Sequence, residues 1–93
     1  MPYSFHDQLI FVTGGAGDIG AAICRALDAD GACVWVADLD AASGERLCAE
    51  LRHARSRFLR LDVSDSAQVA SAFERVEAEF GRLDGLVNAA GIA

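Results

Sequence analysis

Hydrophobic residues along the chain fall into two kinds of segment that alternate. Short, continuous apolar runs predict parallel strands, because such strands are covered on both faces. Longer segments with apolar residues every three or four positions predict amphipathic helices. The predicted strands are 9–13, 33–37, 57–61 and 85–87, and the predicted helices are 19–30, 41–52 and 64–80.

The order of these elements is strand, helix, strand, helix, strand, helix, strand. Crossover connections between parallel strands are right-handed, which favours an open sheet with helices on both faces. We therefore expect an α/β fold with a doubly wound parallel sheet of strand order 3-2-1-4. The third predicted strand alternates apolar and charged residues, as in Phe58 and Arg60, which is typical of a sheet edge. Ser64 is the predicted N-cap of the third helix, and Gly31 and Gly81 are predicted to follow helix ends.

Composition excludes several classes of function. The chain has 93 residues, 53% of them hydrophobic, and a net charge of −6. It has no lysine and only scattered arginines, which argues against a nucleic-acid partner. No apolar run reaches the roughly 20 residues of a membrane span, and the N-terminus lacks the pattern of a secretory signal. We expect a cytoplasmic protein whose three cysteines are reduced core residues and whose two isolated histidines bind no metal.

A glycine-rich turn joins the first predicted strand to the first helix. Gly14, Gly15, Gly17 and Gly20 lie in this turn. A helix start offers unpaired N–H groups and the positive end of the helix dipole, and glycines allow a ligand to come close. A Gly-x-Gly-x-x-Gly spacing between a strand and a helix is typical of a pyrophosphate-binding turn.

An acidic residue, Asp38, ends the second predicted strand, 18 residues after Gly20. This is the position at which dinucleotide-binding domains hold the adenosine ribose. A carboxylate there accepts hydrogen bonds from ribose hydroxyls and repels a 2′-phosphate. No arginine or lysine follows Asp38 directly. The sequence therefore favours NAD over NADP; the alternative is a surface carboxylate that caps the next helix.

With these motifs in place, the chain resembles the short-chain dehydrogenase/reductase family over residues 7–92. The resemblance lies in segments 13–20, 61–63 and 88–91 and in Asp38. It implies a Rossmann-type sheet in which the glycine turn wraps the pyrophosphate, Asp62 bonds the adenine amino group and Val63 packs beside the ring. Segment 88–91 would steady the sheet and line the cleft. The implied cofactor-binding residues are Gly14, Gly15, Ala16, Gly17, Asp18, Ile19, Gly20, Asp38, Leu39, Asp62, Val63, Asn88, Ala89, Ala90 and Gly91.

The chain departs from the family pattern at two positions. Asp18 stands where the family's turn has glycine; aspartate tolerates a left-handed backbone, so we expect the turn to form. A carboxylate beside a pyrophosphate nevertheless costs affinity unless it points to solvent. Ala89 replaces the second asparagine of the Asn-Asn-Ala-Gly motif, which removes a side-chain amide but not the fold.

Family resemblance implies an NAD-dependent oxidoreductase that acts on a secondary alcohol or carbonyl, such as a cyclic dihydrodiol or a polyol, and that assembles as a dimer or tetramer. The family's catalytic Ser and Tyr-x-x-x-Lys follow the fourth strand, so we assign no catalytic residue. Residues 1–93 are interpreted as the N-terminal part of a single cofactor-binding domain. By itself the chain is expected to lack turnover and to expose an unpaired strand edge that promotes association. Two alternatives remain: an extended-branch nucleotide-sugar epimerase or dehydratase, and a non-catalytic nucleotide-binding module.

Overall fold

A computed structural model describes residues 4–90 of the chain. Four parallel strands form one sheet in the order β3-β2-β1-β4. The strands are β1 (Leu9–Thr13), β2 (Cys33–Asp38), β3 (Arg57–Arg60) and β4 (Gly85–Asn88), and the helices are α1 (Asp18–Ala29), α2 (Ala41–Glu50) and α3 (Ser66–Glu79). The expected doubly wound topology and strand order are confirmed.

Alternation along the central strands divides the core into two layers. Leu9 and Phe11 of β1 pack in the layer under α3, whereas Ile10 and Val12 pack in the layer under α1 and α2. Each of these residues is buried, as is all of β1. The continuous apolar run is therefore explained by a strand that is covered on both faces. Its pairing with β2 runs from Leu9 opposite Cys33 to Thr13 opposite Ala37.

The helix ends follow local chemistry. Gly31 and Gly81 have positive φ values of 86° and 88°, confirming that a glycine follows α1 and α3. The predicted cap at Ser64 is wrong: Asp65 caps α3 by accepting from the N–H groups of Ala67 and Gln68. Ser64 instead donates both its N–H and its hydroxyl to Asp62, which removes it from the helix start.

One carboxylate fastens the start of β1 to the segment before β4. Asp84 Oδ2 accepts from the Leu9 N–H at 2.8 Å and from Arg82 Nε at 2.9 Å. The Asp84 N–H in turn donates to the Leu9 carbonyl. These bonds lower the pKa of the Asp84 carboxyl, chiefly through Arg82. These contacts of Asp84 with Leu9 and Arg82, here called the Asp84 clasp, lie at the amino ends of the strands, opposite the glycine-rich turn.

Candidate functional site

The turn between β1 and α1 is held by close backbone contacts. Gly14 has a φ of 68°, and a Cβ there would lie 2.6 Å from the Ala90 nitrogen. A Cβ on Gly20 would overlap the Gly14 carbonyl oxygen and lie 2.8 Å from the Gly15 Cα. Only glycine allows these segments to approach so closely. Gly14 and Gly20 therefore serve the fold of the turn itself, whatever it binds.

Gly17 differs from these two glycines. It is the N-cap of α1, with an extended backbone and no side-chain cap. A Cβ at this position would meet only the Gly14 oxygen, at an ordinary 3.6 Å. Within residues 4–90, the N–H groups of Asp18, Ile19 and Gly20 have no hydrogen-bond acceptor. The helix start thus offers free N–H donors and the positive end of a dipole without an adjacent side chain at the cap.

Asp38 connects the end of β2 to this turn. Its Oδ2 accepts from the Ala16 N–H at 3.0 Å, and its Oδ1 accepts from the Asp40 N–H at 2.9 Å. The two bonds fix the carboxylate between the glycine-rich turn and the start of α2. Each carboxylate oxygen has two lone pairs, so acceptor capacity remains for a further donor. Asp40, not Asp38, caps α2, by accepting from the Ser43 N–H.

A cavity of about 290 Å³ opens beside Asp38 at the carboxyl ends of the strands. Two of its apolar lining residues are unusually exposed: Leu39 at 55% and Val63 at 50%. Large exposed apolar side chains flanking a cavity offer a surface for a planar or apolar ligand group. The cavity is lined by Gly14, Gly17, Asp38, Leu39, Leu61, Asp62, Val63, Ala89 and Ala90.

Asp62 forms the far wall of this cavity. Its Oδ1 accepts from the Ser64 N–H and hydroxyl, which lower the pKa of the carboxyl and keep it ionised. Gln68 Oε1 accepts from the Asp62 N–H at 3.0 Å, so α3 also anchors this residue. Within the described part of the chain, Asp62 Oδ2 has no donor. The wall therefore carries a free acceptor.

The segment after β4 closes the site from the other side. Asn88 Oδ1 accepts from the Thr13 hydroxyl at 2.8 Å, and the Ala89 N–H donates to the Thr13 carbonyl. Ala89 is buried and Ala90 lies against Gly14. The expected link between this segment and the central sheet is therefore present, although Thr13 was not singled out from the sequence. Gly91 lies outside the described residues.

Asp18 and Ile19 do not line the cavity of Asp38. Asp18 is the first residue of α1, and no residue from 4 to 90 other than glycine has a positive φ except Asp7. Asp18 therefore does not need a left-handed backbone: the turn forms, as expected, with Asp18 in a helical conformation. Its side chain lines a separate cavity between α1 and α2. Ile19 is 49% exposed on the outer surface of the first turn.

The cysteines and histidines lie away from the cavity. Burial raises the pKa of the Cys24 thiol to about 12, and Cys33 is also buried and shifted upward by burial. Both are neutral core residues. The histidines are not isolated: His6 Nε2 and His53 Nε2 contact the two oxygens of Asp7 at 3.2 Å and 3.0 Å. Sequence spacing gave no signal for this cluster, because folding brings His53 to Asp7 from 46 residues away.

Two further results concern the class of protein. No helix in the described part of the chain combines the length and apolarity that crossing a bilayer requires. The family model for short chain dehydrogenases matches residues 8–93.

Characterised relatives are similar in sequence. D-threitol dehydrogenase of Mycolicibacterium smegmatis is 46% identical over 88 residues, covering 92% of this chain and 34% of the relative. Cis-4-hydroxycyclohexanecarboxylate dehydrogenase of Sinomonas cyclohexanicum is 42% identical over 95 residues, covering 100% and 38%. The chain spans between 14% and 38% of the length of the curated relatives that it matches. These relatives do not favour the epimerase alternative.

A solved structure shows the same arrangement. The 3-ketoacyl-(acyl-carrier-protein) reductase from Brucella melitensis, complexed with NADH, superimposes with a TM-score of 0.82 at 28% identity. The match covers 89% of this chain and 34% of that one. The family model covers most of the sequence and the fold is shared with this structure, so the chain belongs to the short-chain dehydrogenase family.

Proposed function

We propose that the chain is the coenzyme-binding part of an NAD-dependent oxidoreductase that transfers hydride between nicotinamide and a secondary alcohol or carbonyl. Residues 1–93 form the N-terminal part of one domain, and the catalytic groups lie beyond it. The single observation that supports the proposal best is the position of Asp38. Its carboxylate is fixed at one wall of a cavity that also reaches Gly17, the N-cap of α1, next to the free N–H groups of that helix.

The residues present suit a dinucleotide. The free N–H groups at the start of α1 bind the diphosphate, and Gly17 leaves room for its close approach. Asp38 accepts from the ribose hydroxyls. Leu39 and Val63 hold the adenine between apolar surfaces, and the free oxygen of Asp62 accepts from its amino group. Nicotinamide, when bound, supplies the hydride chemistry.

The remaining residues of the proposed coenzyme site hold the protein backbone in place. Gly15, Ala16 and Gly20 shape the turn that places the free N–H groups, while Asn88, Ala89 and Ala90 steady the central sheet at the cleft. Asp18 and Ile19 belong to the first turn of the helix that faces the diphosphate. No arginine lines the cavity of Asp38 among the described residues, which supports NAD rather than NADP.

The substrate class rests on similarity. Relatives named for D-threitol and cis-4-hydroxycyclohexanecarboxylate oxidise alcohol carbons in a polyol and in a ring. We extend this class, a secondary alcohol of a polyol or a cyclic compound, to the whole protein. Its assembly is proposed to be a dimer or tetramer, its location the cytoplasm.

Calorimetric titration of ADP-ribose, NADH and NADPH tests the coenzyme assignment. ADP-ribose is informative because the diphosphate, ribose and adenine contacts all lie within the described residues. The wild-type chain is expected to bind ADP-ribose and NADH more tightly than NADPH. The Asp38→Arg variant should weaken NADH binding at least about tenfold, or about 1.4 kcal/mol, and favour NADPH.

Glu74→Arg is the matched control. Glu74 is exposed on α3, and its replacement changes the net charge by the same amount. Circular dichroism establishes that each variant keeps the helical content of the wild type, since Asp38 also fixes Ala16. Absence of binding to the wild type, or an unchanged preference for NADH in a folded Asp38→Arg variant, contradicts the proposal.

A further inference from the structure

A second cavity lies on the α2 side of the glycine-rich turn. It has a volume of about 350 Å³ and is separated from the cavity of Asp38 by the segment Ala16–Asp18. Four charged side chains line it: Asp18, Arg25, Arg46 and Glu50. Their charges sum to zero, so this cavity is not a general anion site. Its proximity to the helix start makes the arrangement of these charges important.

The four charges are not paired equally. Arg25 Nη2 contacts Glu50 Oε2 at 3.2 Å, and Arg25 Nε adds a second bond at 3.4 Å. Arg46 Nη2 donates to the Ser43 hydroxyl at 3.1 Å but contacts no carboxylate within residues 4–90. Asp18 likewise has no hydrogen bond or ion pair among the described residues. The hydrogen bonds from Ser43 and, after them, the charge of Arg46 lower the pKa of Asp40, whereas the Asp18 carboxylate has no side-chain partner among the described residues.

Asp18 has an alternative place for its carboxylate. The side chain stands at the first helical position, next to N–H groups that lack acceptors. A carboxylate is favourable near a helix N-terminus. The same N–H groups are the ones that would bind a diphosphate. If Asp18 rotated toward them, it would compete with that ligand and repel it.

We propose that Arg46 is a positioning residue, whose charge across the α2-side cavity keeps the Asp18 carboxylate away from the diphosphate crevice. The inference rests on the proposed coenzyme function and deepens it. It explains how this chain carries aspartate where the family's turn has glycine. The guanidinium attracts Asp18 to the α2 side, and the N–H groups of α1 stay free for the ligand.

The effect of Arg46 through Asp18 can be separated from a direct effect on the ligand. Two charges fixed in place act on a bound anion independently, so their contributions add. If Arg46 acts by positioning Asp18, removing Arg46 matters only while Asp18 is charged. A double-mutant cycle measures this coupling. A direct contact of Arg46 with a 2′-phosphate would instead change NADPH binding alone.

The experiment is calorimetric titration of NADH, NADPH and ADP-ribose into the wild type, Asp18→Asn, Arg46→Gln and the double variant. Arg46→Gln is expected to weaken binding about threefold, a size usual for an exposed charge pair. In the Asp18→Asn background the same change should have an effect below about 1.5-fold. Arg46→Lys should restore binding, because it keeps the charge. Thermal unfolding of each variant measures any loss of stability.

Arg52→Gln is the matched control. Arg52 is 73% exposed and pairs with Asp28. The Arg52→Gln substitution removes the same charge as Arg46→Gln, and its effect on ligand binding should be additive with that of Asp18→Asn. Additive effects of Arg46→Gln and Asp18→Asn overturn the inference while leaving the coenzyme function standing, as does a loss confined to NADPH. Failure of the wild type to bind either ligand overturns the proposed function, and this inference with it.

Discussion

Replacing Gly20 by alanine tests whether the turn is a tightly packed element or a flexible loop. A Cβ at Gly20 overlaps the Gly14 carbonyl oxygen and comes within 2.8 Å of the Gly15 Cα. Alanine raises helix propensity by about 1 kcal/mol. Overpacking costs about 1–3 kcal/mol, and here the obstructing atoms are backbone atoms that cannot change rotamer. We expect the upper part of this range and a net loss of about 2 kcal/mol.

The matched variant is Gly17→Ala. A Cβ there would lie 3.6 Å from its nearest neighbour, the Gly14 oxygen, so no overlap arises. Alanine is a poorer N-cap than glycine, which costs about 0.5 kcal/mol. Unlike Gly20→Ala, this variant is expected to keep its fold. Because Gly17 lines the cavity, the variant should instead weaken binding of ADP-ribose.

Thermal unfolding followed by far-UV circular dichroism and by the fluorescence of the single, buried Trp35 is the assay. For a domain of this size, a loss of 2 kcal/mol lowers the melting temperature by about 10 °C. Gly17→Ala should lower it by less than about 4 °C. Equal losses in the two variants would refute the reasoning, because the Cβ contacts would then not govern stability. Unchanged ADP-ribose binding by Gly17→Ala would contradict the role given to this glycine.

Three further predictions concern stability and thiol chemistry. The carboxyls of Asp40, Asp62 and Asp84 have pKa values lowered from 3.8 in the folded chain. The ionised carboxylates therefore stabilise the fold above pH 3.8, and this stabilisation is lost as the pH falls through the lowered pKa values. Urea unfolding between pH 7 and pH 2 measures the resulting decrease in the free energy of unfolding. A constant unfolding free energy across that range would contradict it. Asp84→Asn weakens two charge-assisted bonds and should cost about 1.5 kcal/mol in the same assay; a change under about 0.3 kcal/mol would show that the clasp is not stabilising. Cys24 and Cys33 are buried, whereas Cys48 is only half-buried, so a thiol reagent at pH 8 should modify Cys24 and Cys33 only after unfolding; rapid labelling of either of these two residues in the folded chain, located by peptide mass, would contradict this.

Local patterns were sufficient for the strands and for the order of elements. The apolar runs of β1 and β2 are five and six residues long, a length typical of strands and too short for a buried helix. Gly31 indicates the end of α1 because glycine readily adopts the positive φ found there. The cap of α3 could not be predicted as well. Several polar residues in succession can cap a helix, and the choice of Asp65 depends on Asp62 taking the hydroxyl of Ser64.

In the candidate site, too, some features could be predicted from the sequence and others could not. Spacing along the chain placed Asp38 and the glycine-rich turn at one end of the sheet, because parallel strands end on the same side. The direction of the Asp18 side chain was beyond sequence reasoning, since it depends on which face of the turn meets α2. The contact of Asp7 with His53 was also missed, because these two residues are 46 positions apart in the chain.

The two hydrogen bonds of Asp38 constrain how coenzyme preference could evolve. One carboxylate accepts from both Ala16 and Asp40, so a mutation to a basic residue removes both acceptors in one step. A change to a phosphorylated coenzyme at this position therefore also removes two contacts that hold the turn, and such a variant is expected to be less stable than the wild type. Asp38 is accordingly expected to resist drift even in descendants that have lost the ligand.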